Sequence, residues 1–481
     1  MKKILIIAIV GVWCCHLMSG QVNARYQPTW ESLKNYKPAQ WVEDAKFGVF
    51  IHWGVYAVPA FGNEWYPRNM YMKGSKEYNH QLATYGTLDT FGYKDFIPMF
   101  KAEKFNADAW VDLFKRSGFK YVVPVAEHHD GFAMYKTALS TWNAYDMGPK
   151  RDIIGELAVA TRKAGLVFGL SSHRIEHWWF MNTGQRYNTD VNSGKFDDFY
   201  GPARAQNETL SPEYMNDWLL RNIELIDNYH PQLFWFDWWI EQAAMEPYRK
   251  SFASYYYNKG IEWNKEVVIN YKHESFPDKA AILDIERGKL TGIREQPWQT
   301  DDAVGYKSWG YIENDSFKSS KYLVNNLVDI VSKNGHLLLN IGPRADGSIP
   351  DAVQKILLEV GAWLTINGEA IYGTRPWKIF GEGPTQVAGG SFSDAKDQPF
   401  TADDIRFTKK GDDLYMISLD NPVHDLNIKS LATGAGQKIK SIQMLGSSGK
   451  VVWTQSSSGL LIKSNAAYPA KQAVVYKLRF E

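Results

Sequence analysis

The 481 residues exceed what a single hydrophobic core usually supports, so more than one domain is expected. The formal charge is +1, and −1 when residues 1–24 with Lys2 and Lys3 are set aside, which argues against partners that need a strongly basic surface, such as nucleic acid or an anionic membrane. Apolar residues at 44% are ordinary for a globular chain, whereas aromatics at 15%, with 19 Trp, are rich in the flat apolar surfaces that suit sugar rings.

At the N-terminus, Lys2 and Lys3 precede the apolar run Ile4 to Leu17, and Val22-Asn23-Ala24 supplies small residues at cleavage offsets. This predicts a signal peptide over residues 1–24, cut after Ala24. The run is shorter than the roughly 20 residues of a membrane span, so no membrane insertion of the mature chain is expected. Trp13 before Cys14 is too bulky for a lipoprotein signal. Both cysteines lie in this segment, so the mature chain is expected to contain no disulfide and no thiolate metal site. The expected location is periplasmic or secreted, with the lysine-led signal favouring the periplasm of a Gram-negative bacterium.

Lys46 to Gly54 is predicted to be the first buried strand. A helix follows over Asn106 to Ser117, with Trp110, Leu113 and Phe114 on one face and Gly118 as its stop. Lys120 to Ala126 is a second strand, Asp152 to Ala164 a helix stopped by Gly165, and Leu166 to Leu170 a third strand. The polar stretch Arg174 to Leu210 is long for a loop, a length usually kept for function. Ser211-Pro212-Glu213 opens a helix with a cap, an N1 proline and early negative charge. That helix delivers the chain to Leu233-Phe234-Trp235-Phe236-Asp237, an apolar strand ending on a carboxylate. Short strands at Val267 to Tyr271 and Ala281 to Ile285, a helix over Ser319 to Lys333, a strand over His336 to Ile341 and a last helix through Leu364 complete the series. The alternation, with polar groups gathered after strands, predicts an α/β fold: a (β/α)8-like TIM barrel over residues 25–375. Beyond it, short alternating segments such as Leu414 to Leu419 and Ala473 to Leu478 predict a C-terminal β-sandwich over residues 376–481, without a catalytic constellation.

Five places at strand ends carry unusual polar residues: His52 with Glu64 and Trp65 after it, His128 with His129, His173, Asp237, and Glu286. A charge inside an aromatic run such as that of Asp237 is expensive to bury unless it is paired or used. It is read as a catalytic nucleophile with the flanking tryptophans as pocket walls, the other reading being a hydrogen-bonded cap. The histidines admit three readings: a metal site, a pocket for a hydroxyl-rich ligand, or structural residues. Neighbours His128 and His129 enter one site only if the strand breaks after them, as Asp130-Gly131 suggests. The absence of His-x-His spacing disfavours the metal, and no cofactor is expected.

Several of these stretches together resemble a known family. Lys46-Phe47-Gly48-Val49-Phe50-Ile51-His52-Trp53-Gly54, Glu64-Trp65-Tyr66, Glu127-His128-His129-Asp130-Gly131-Phe132, Phe168 to His173 and Leu233 to Asp237 are similar to the α-L-fucosidases of glycoside hydrolase family 29. Pro297 to Asp301, Ser308-Trp309-Gly310-Tyr311 and Asn334 to Pro343 extend the likeness over roughly residues 26–375. The resemblance implies a retaining exo-glycosidase that acts on fucosylated glycans, with Asp237 as nucleophile. It also implies that His52, His128, His129, Glu64 and Trp65 hold fucose hydroxyls and that Trp309 packs on the sugar's methyl side. His173 and Glu176 are further pocket candidates. The chain departs from many relatives at Asn270-Tyr271-Lys272, where they carry an arginine, which leaves open whether Lys272 reaches the sugar.

A retaining mechanism needs a second carboxyl group about 5–5.5 Å from the first, protonated at the start. Glu286, at the end of Ala281 to Ile285, is expected to be that acid because restricted solvent access favours the protonated form. Glu295, beside Arg294, and Asp284 are the rivals. Other readings are a retaining glycosidase for another sugar such as an α-galactoside, an inactive sugar-binding protein, and a metal-dependent hydrolase.

Overall fold

The computed structural model describes residues 25–435 and 438–481, so the expected signal peptide lies outside the described residues. Eight strands form the first sheet: β1 (Phe47–Ile51), β2 (Tyr121–Glu127), β3 (Val167–Ser172), β4 (Leu233–Phe236), β5 (Val268–Tyr271), β6 (Ile282–Leu283), β7 (Trp298–Ala303) and β8 (Gly335–Ile341). They are ordered β6-β5-β4-β3-β2-β1-β8-β7, and every pairing is parallel. The remaining seam, β6 to β7, is closed by the N–H groups of Ile285 and Arg287. They donate to the carbonyls of Gln299 and Asp301 at 2.9 and 2.8 Å. The sheet therefore closes into a barrel without an open edge.

Long helices cover it: α1 (Ala107–Arg116), α2 (Ile153–Lys163), α3 (Pro212–Tyr229), α4 (Glu246–Glu262), α5 (Ser320–Ser332) and α6 (Asp351–Asn367). Their starts are capped as their sequences require. Asn106, Asp152, Ser211 and Ser319 each accept a backbone N–H from the first turn. The links β5 to β6 and β6 to β7 contain no long helix, so the barrel is (β/α)8-like with two helices missing.

Two elements of the barrel were not foreseen. Helix α4 has no clean apolar stripe, because its inner face includes Arg249, Tyr256 and Tyr257. The tyrosine hydroxyls there donate to the carbonyls of Pro231 and Ala280 at 2.9 and 2.5 Å, which makes a polar-looking face buriable. Strand β7 is buried along its whole length yet reads Trp-Gln-Thr-Asp-Asp-Ala. Its polar side chains are paired inside the barrel, Gln299 Nε2 with Asp284 Oδ2 at 2.6 Å for example. The expected polar loop after β3 is also different: it folds into short helical turns around buried Trp178, Trp179, Phe180 and Tyr200.

The C-terminal part comprises β9 (Arg375–Glu382), β10 (Ile405–Lys410), β11 (Asp413–Ser418), β12 (Leu426–Ile428), β13 (Ile439–Met444), β14 (Trp453–Ser456), β15 (Gly459–Ile462) and β16 (Val474–Phe480). They form antiparallel sheets of order β13-β16-β11-β10-β9 and β12-β15-β14. Alternation along β11 explains the packing. Leu414 and Met416 face the smaller sheet's core, while Tyr415 and Ile417 join the apolar cluster of the barrel. Among the described residues, no helix is long and apolar enough to cross a membrane.

Candidate active site

The chain segments that follow the barrel strands enclose a cavity of about 270 Å3. All nine site residues drawn from the sequence line it: His52, Glu64, Trp65, His128, His129, His173, Asp237, Glu286 and Trp309. So do Glu176, Trp235, Trp238, Lys272, Asp301 and Phe392.

Asp237 follows β4 directly. Its Oδ2 accepts the Nδ1–H of His173 at 2.9 Å, and His129 Nε2 lies 3.4 Å from the same oxygen. Burial opposes the charge, but Lys272 and His173 outweigh it and hold the Asp237 carboxyl well below the usual carboxylate range. Glu286 Oε2 accepts from Trp238 Nε1 at 2.7 Å and from Lys272 Nζ at 2.5 Å. The same Nζ is 3.5 Å from Asp237 Oδ1 and 2.5 Å from Glu286 Oε2, so these oxygens are at most 6.0 Å apart. Lys272, left open by the sequence, thus bridges two carboxyl groups, and its ring contacts are with Trp235 and Trp238, 4.8 and 5.6 Å from the centroids.

A third carboxyl, Asp301 on β7, is 3.3 Å from Lys272. Burial first, and Asp284 next, push its pKa well up. Glu176 is raised as well, by burial and then by Asp237 and Glu241, and its buried Oε2 has no hydrogen-bond partner. Burial also opposes the charge of Lys272, but Asp301, Glu286 and Asp237 hold its pKa well above the usual lysine value.

His52, His128 and His129 are neutral. Burial, then the charge of His173, pushes His52 well down, and its Nδ1–H donates to Asn340 Oδ1 at 2.7 Å, which leaves Nε2 as an acceptor. Burial pushes His128 well down too, and its Nδ1 has no partner. Burial brings His129 to about 4 against the opposing pull of Asp237. Strand β2 ends at Glu127, and the turn after it, closed by Gly131 N–H to the His128 carbonyl at 3.1 Å, brings both rings into the cavity. Gly131 has φ +80, and a Cβ there would sit 2.6 Å from His177 Cε1, so the turn needs glycine twice over. Glu64, its pKa raised by burial, ties two loops together by accepting from Trp309 N–H at 2.9 Å and Ser308 Oγ at 3.1 Å.

Ligand atoms of His52, His128 and His173, and those of His129, His173 and Asp237, lie within 4.8 Å of one another, a spacing that would admit a cation. Both nitrogens of His173 are already bonded, to Asp237 and to Ser171 Oγ at 3.0 Å.

Of the rival carboxylates, Glu295 is exposed and outside the cavity, and Asp284 is buried and bonded to Gln299. Trp235 and Trp238 are the expected walls, whereas Trp239 packs on Trp179 at 5.7 Å. Asp301 was missed as a site residue because β7 was missed as a strand, and Phe392 because it comes from the C-terminal part. A larger cavity of about 640 Å3 lies between the barrel and residues 394–400, but its charges are paired, Lys289 with Asp397 at 2.5 Å and Lys318 with Asp394 at 3.4 Å.

Comparison with known proteins bears on this arrangement. The family profile described as Alpha-L-fucosidase matches residues 14–369, and that of the Alpha-L-fucosidase C-terminal domain matches residues 397–480. The chain is 33% identical to the tissue alpha-L-fucosidase of Homo sapiens over 473 residues, covering 95% of this chain and 92% of the other. It is 35% identical to the human plasma alpha-L-fucosidase over 370 residues, covering 74% of this chain and 73% of the other. Among solved structures, a Thermotoga maritima alpha-fucosidase in complex with a mechanism-based inhibitor superposes with a TM-score of 0.76 at 30% identity, over 95% of this chain and 100% of the other. The same enzyme in complex with fucose gives 0.75 at 31% identity, over 94% and 100%. The chain belongs to the α-L-fucosidase family, as its motifs led us to expect.

Proposed function

We propose that this protein hydrolyses terminal α-L-fucosyl residues of glycans with retention of configuration, Asp237 acting as nucleophile and Glu286 as acid and base. The observation that carries the reading is the carboxylate pair bridged by Lys272. The two oxygens that Lys272 bridges are at most 6.0 Å apart, in keeping with the roughly 5–5.5 Å between carboxyl groups of retaining enzymes.

In the first step an Asp237 oxygen bonds to the anomeric carbon as the bond to the leaving oxygen breaks, and that oxygen takes the proton of Glu286. In the second, Glu286 takes a proton from water, the water oxygen bonds to the anomeric carbon, and Asp237 departs as carboxylate. Asp237 is suited to attack because its neighbours keep it ionised. Lys272 lies against both groups and offsets the one negative charge the pair carries, on Asp237 before the first step and on Glu286 after it. Neutral His52, His128 and His129 present ring nitrogens to sugar hydroxyls, Glu64 serves as a further acceptor, and Trp65 and Trp309 give apolar contact to the ring and its methyl group. With its signal-like N-terminus, the protein would act in the periplasm or outside the cell.

The test is proton NMR of the first sugar released from an aryl α-L-fucoside, followed in time. The α-anomer is expected first, and the β-anomer first would overturn the mechanism. Asp237→Ala should stay folded and lose about 10^3-fold or more in turnover.

A further inference from the structure

The reaction cavity is small, about 270 Å3, and below the usual range for ligand pockets. It suits one sugar ring, so the leaving group must lie on its rim. The position of that rim follows from the acid. Glu286 Oε2 is held by Trp238 Nε1 at 2.7 Å, so a leaving oxygen that reaches Glu286 passes beside the Trp238 indole.

Opposite Trp238 is Phe392, in the segment that joins β9 to β10. The two rings are nearly parallel, 12° apart, with centroids 6.3 Å from each other. His273 also packs on Trp238, 3.7 Å away between ring centroids. Phe392 is 52% exposed, although it lines the cavity. Its backbone has φ +54, a left-handed conformation that is unfavourable for a bulky side chain. The conformation is held by three backbone bonds to the chain around Glu286. Phe392 N–H donates to the Glu286 carbonyl at 2.8 Å, Gly390 N–H to that of Lys289 at 2.9 Å, and Asp394 N–H to that of Arg287 at 3.1 Å. Tyr322 and Lys289 anchor the far side of the segment through Asp397, at 2.7 and 2.5 Å. Trp239, His273 and Arg287 around the same mouth also have positive φ, of 83, 54 and 42. An exposed apolar ring on a strained backbone lowers stability, and strain of this kind clusters where a ligand is clamped.

We propose that Phe392 and Trp238 form the leaving-group subsite, a platform for the C–H face of a hexopyranose, so that the C-terminal part of the chain selects substrates for the barrel. This rests on the reading of Glu286 as the acid. The barrel cavity fixes the fucosyl residue, and the platform acts on what is attached to it.

The experiment compares two substrates that share the fucosyl group. α-L-Fucosyl fluoride has a leaving group too small to reach Phe392, and a fucosyl-hexose disaccharide reaches it. In Phe392→Asn, which retains the left-handed backbone, the ratio of kcat/KM for disaccharide over fluoride should fall roughly tenfold, mostly through KM. Phe392→Tyr should restore the ratio to within about twofold. A ratio unchanged in Phe392→Asn, with both substrates turned over by the wild-type protein, overturns the inference and leaves the proposed function standing. Turnover of neither substrate by the wild-type protein overturns the function itself and the inference with it.

Discussion

At the scale of single residues, the site turns on one ammonium group among three carboxyls. Lys272 touches Asp237, Glu286 and Asp301, and burial and Asp284 push the pKa of Asp301 well up. A restricted solvent environment was the reason for expecting Glu286 to be the acid, and the structure adds a cation in direct contact with it. Glu176 lines the same cavity with a raised pKa and an unpartnered oxygen, which makes it the rival that replaces Glu295 and Asp284. Azide separates the two. Glu286→Ala should still form the fucosyl intermediate from an aryl fucoside, azide should restore its turnover as an α-fucosyl azide, and cleavage of a natural disaccharide should fall by about 10^2-fold or more. Glu176→Ala should weaken binding without azide rescue. Rescue seen only in Glu176→Ala would move the acid to that residue.

At the scale of elements, barrel closure depends on unequal side chains in one layer. Tyr121 on β2 crosses the interior, and its hydroxyl donates to Gln299 Oε1 on β7 at 3.1 Å. There is space for the ring because its neighbour on β1 is Gly48: a Cβ at that position would sit 2.1 Å from Tyr121 Cε2. The seam that closes the barrel lies at β7, so displacing Tyr121 loosens closure and, through Gln299 and Asp284, the support of the carboxylate cluster. Gly48→Ala should destabilise the protein by about 2 kcal/mol or more. Denaturant unfolding measures this directly, and a midpoint equal to wild type would show that the layer can repack.

At the scale of the whole molecule, the sandwich is fastened to the barrel through a buried charge. Asp329 on α5 is fully buried between Lys333 at 2.7 Å and Arg406 of β10 at 2.6 Å. Burial opposes its ionisation, yet the two cations bring its carboxyl down to about 2. Trp363 of α6 donates to the Ala473 carbonyl at 3.0 Å, and Asn325 of α5 to that of Leu419 at 2.8 Å. Arg406→Met keeps the volume but removes one of the two cations, which should cost roughly 3 kcal/mol and separate a single unfolding transition into two. Calorimetry reads both effects, and one transition at the wild-type temperature would mean that the contact does not couple the two parts.

The elements with regular local patterns were legible from the amino-acid order alone. Apolar runs ending in His52, His128, His173 and Asp237 marked the barrel's strands and which of their ends meet, because the alternation of strand and helix leaves few ways to arrange them. Glu286 was legible for the same reason, at the end of an apolar run. Strand β7 and helix α4 were not, since each buries polar side chains whose partners come from distant segments, and no local periodicity encodes a partner. The same holds for the chemistry of the site. That Lys272 joins Asp237 to Glu286, that the pKa of Asp301 is pushed up, and that Phe392 returns from the C-terminal part to the cavity follow from contacts made only once the barrel has closed. Charge states and subsite walls depend on burial and on neighbours brought together through space, and these are properties of the tertiary structure.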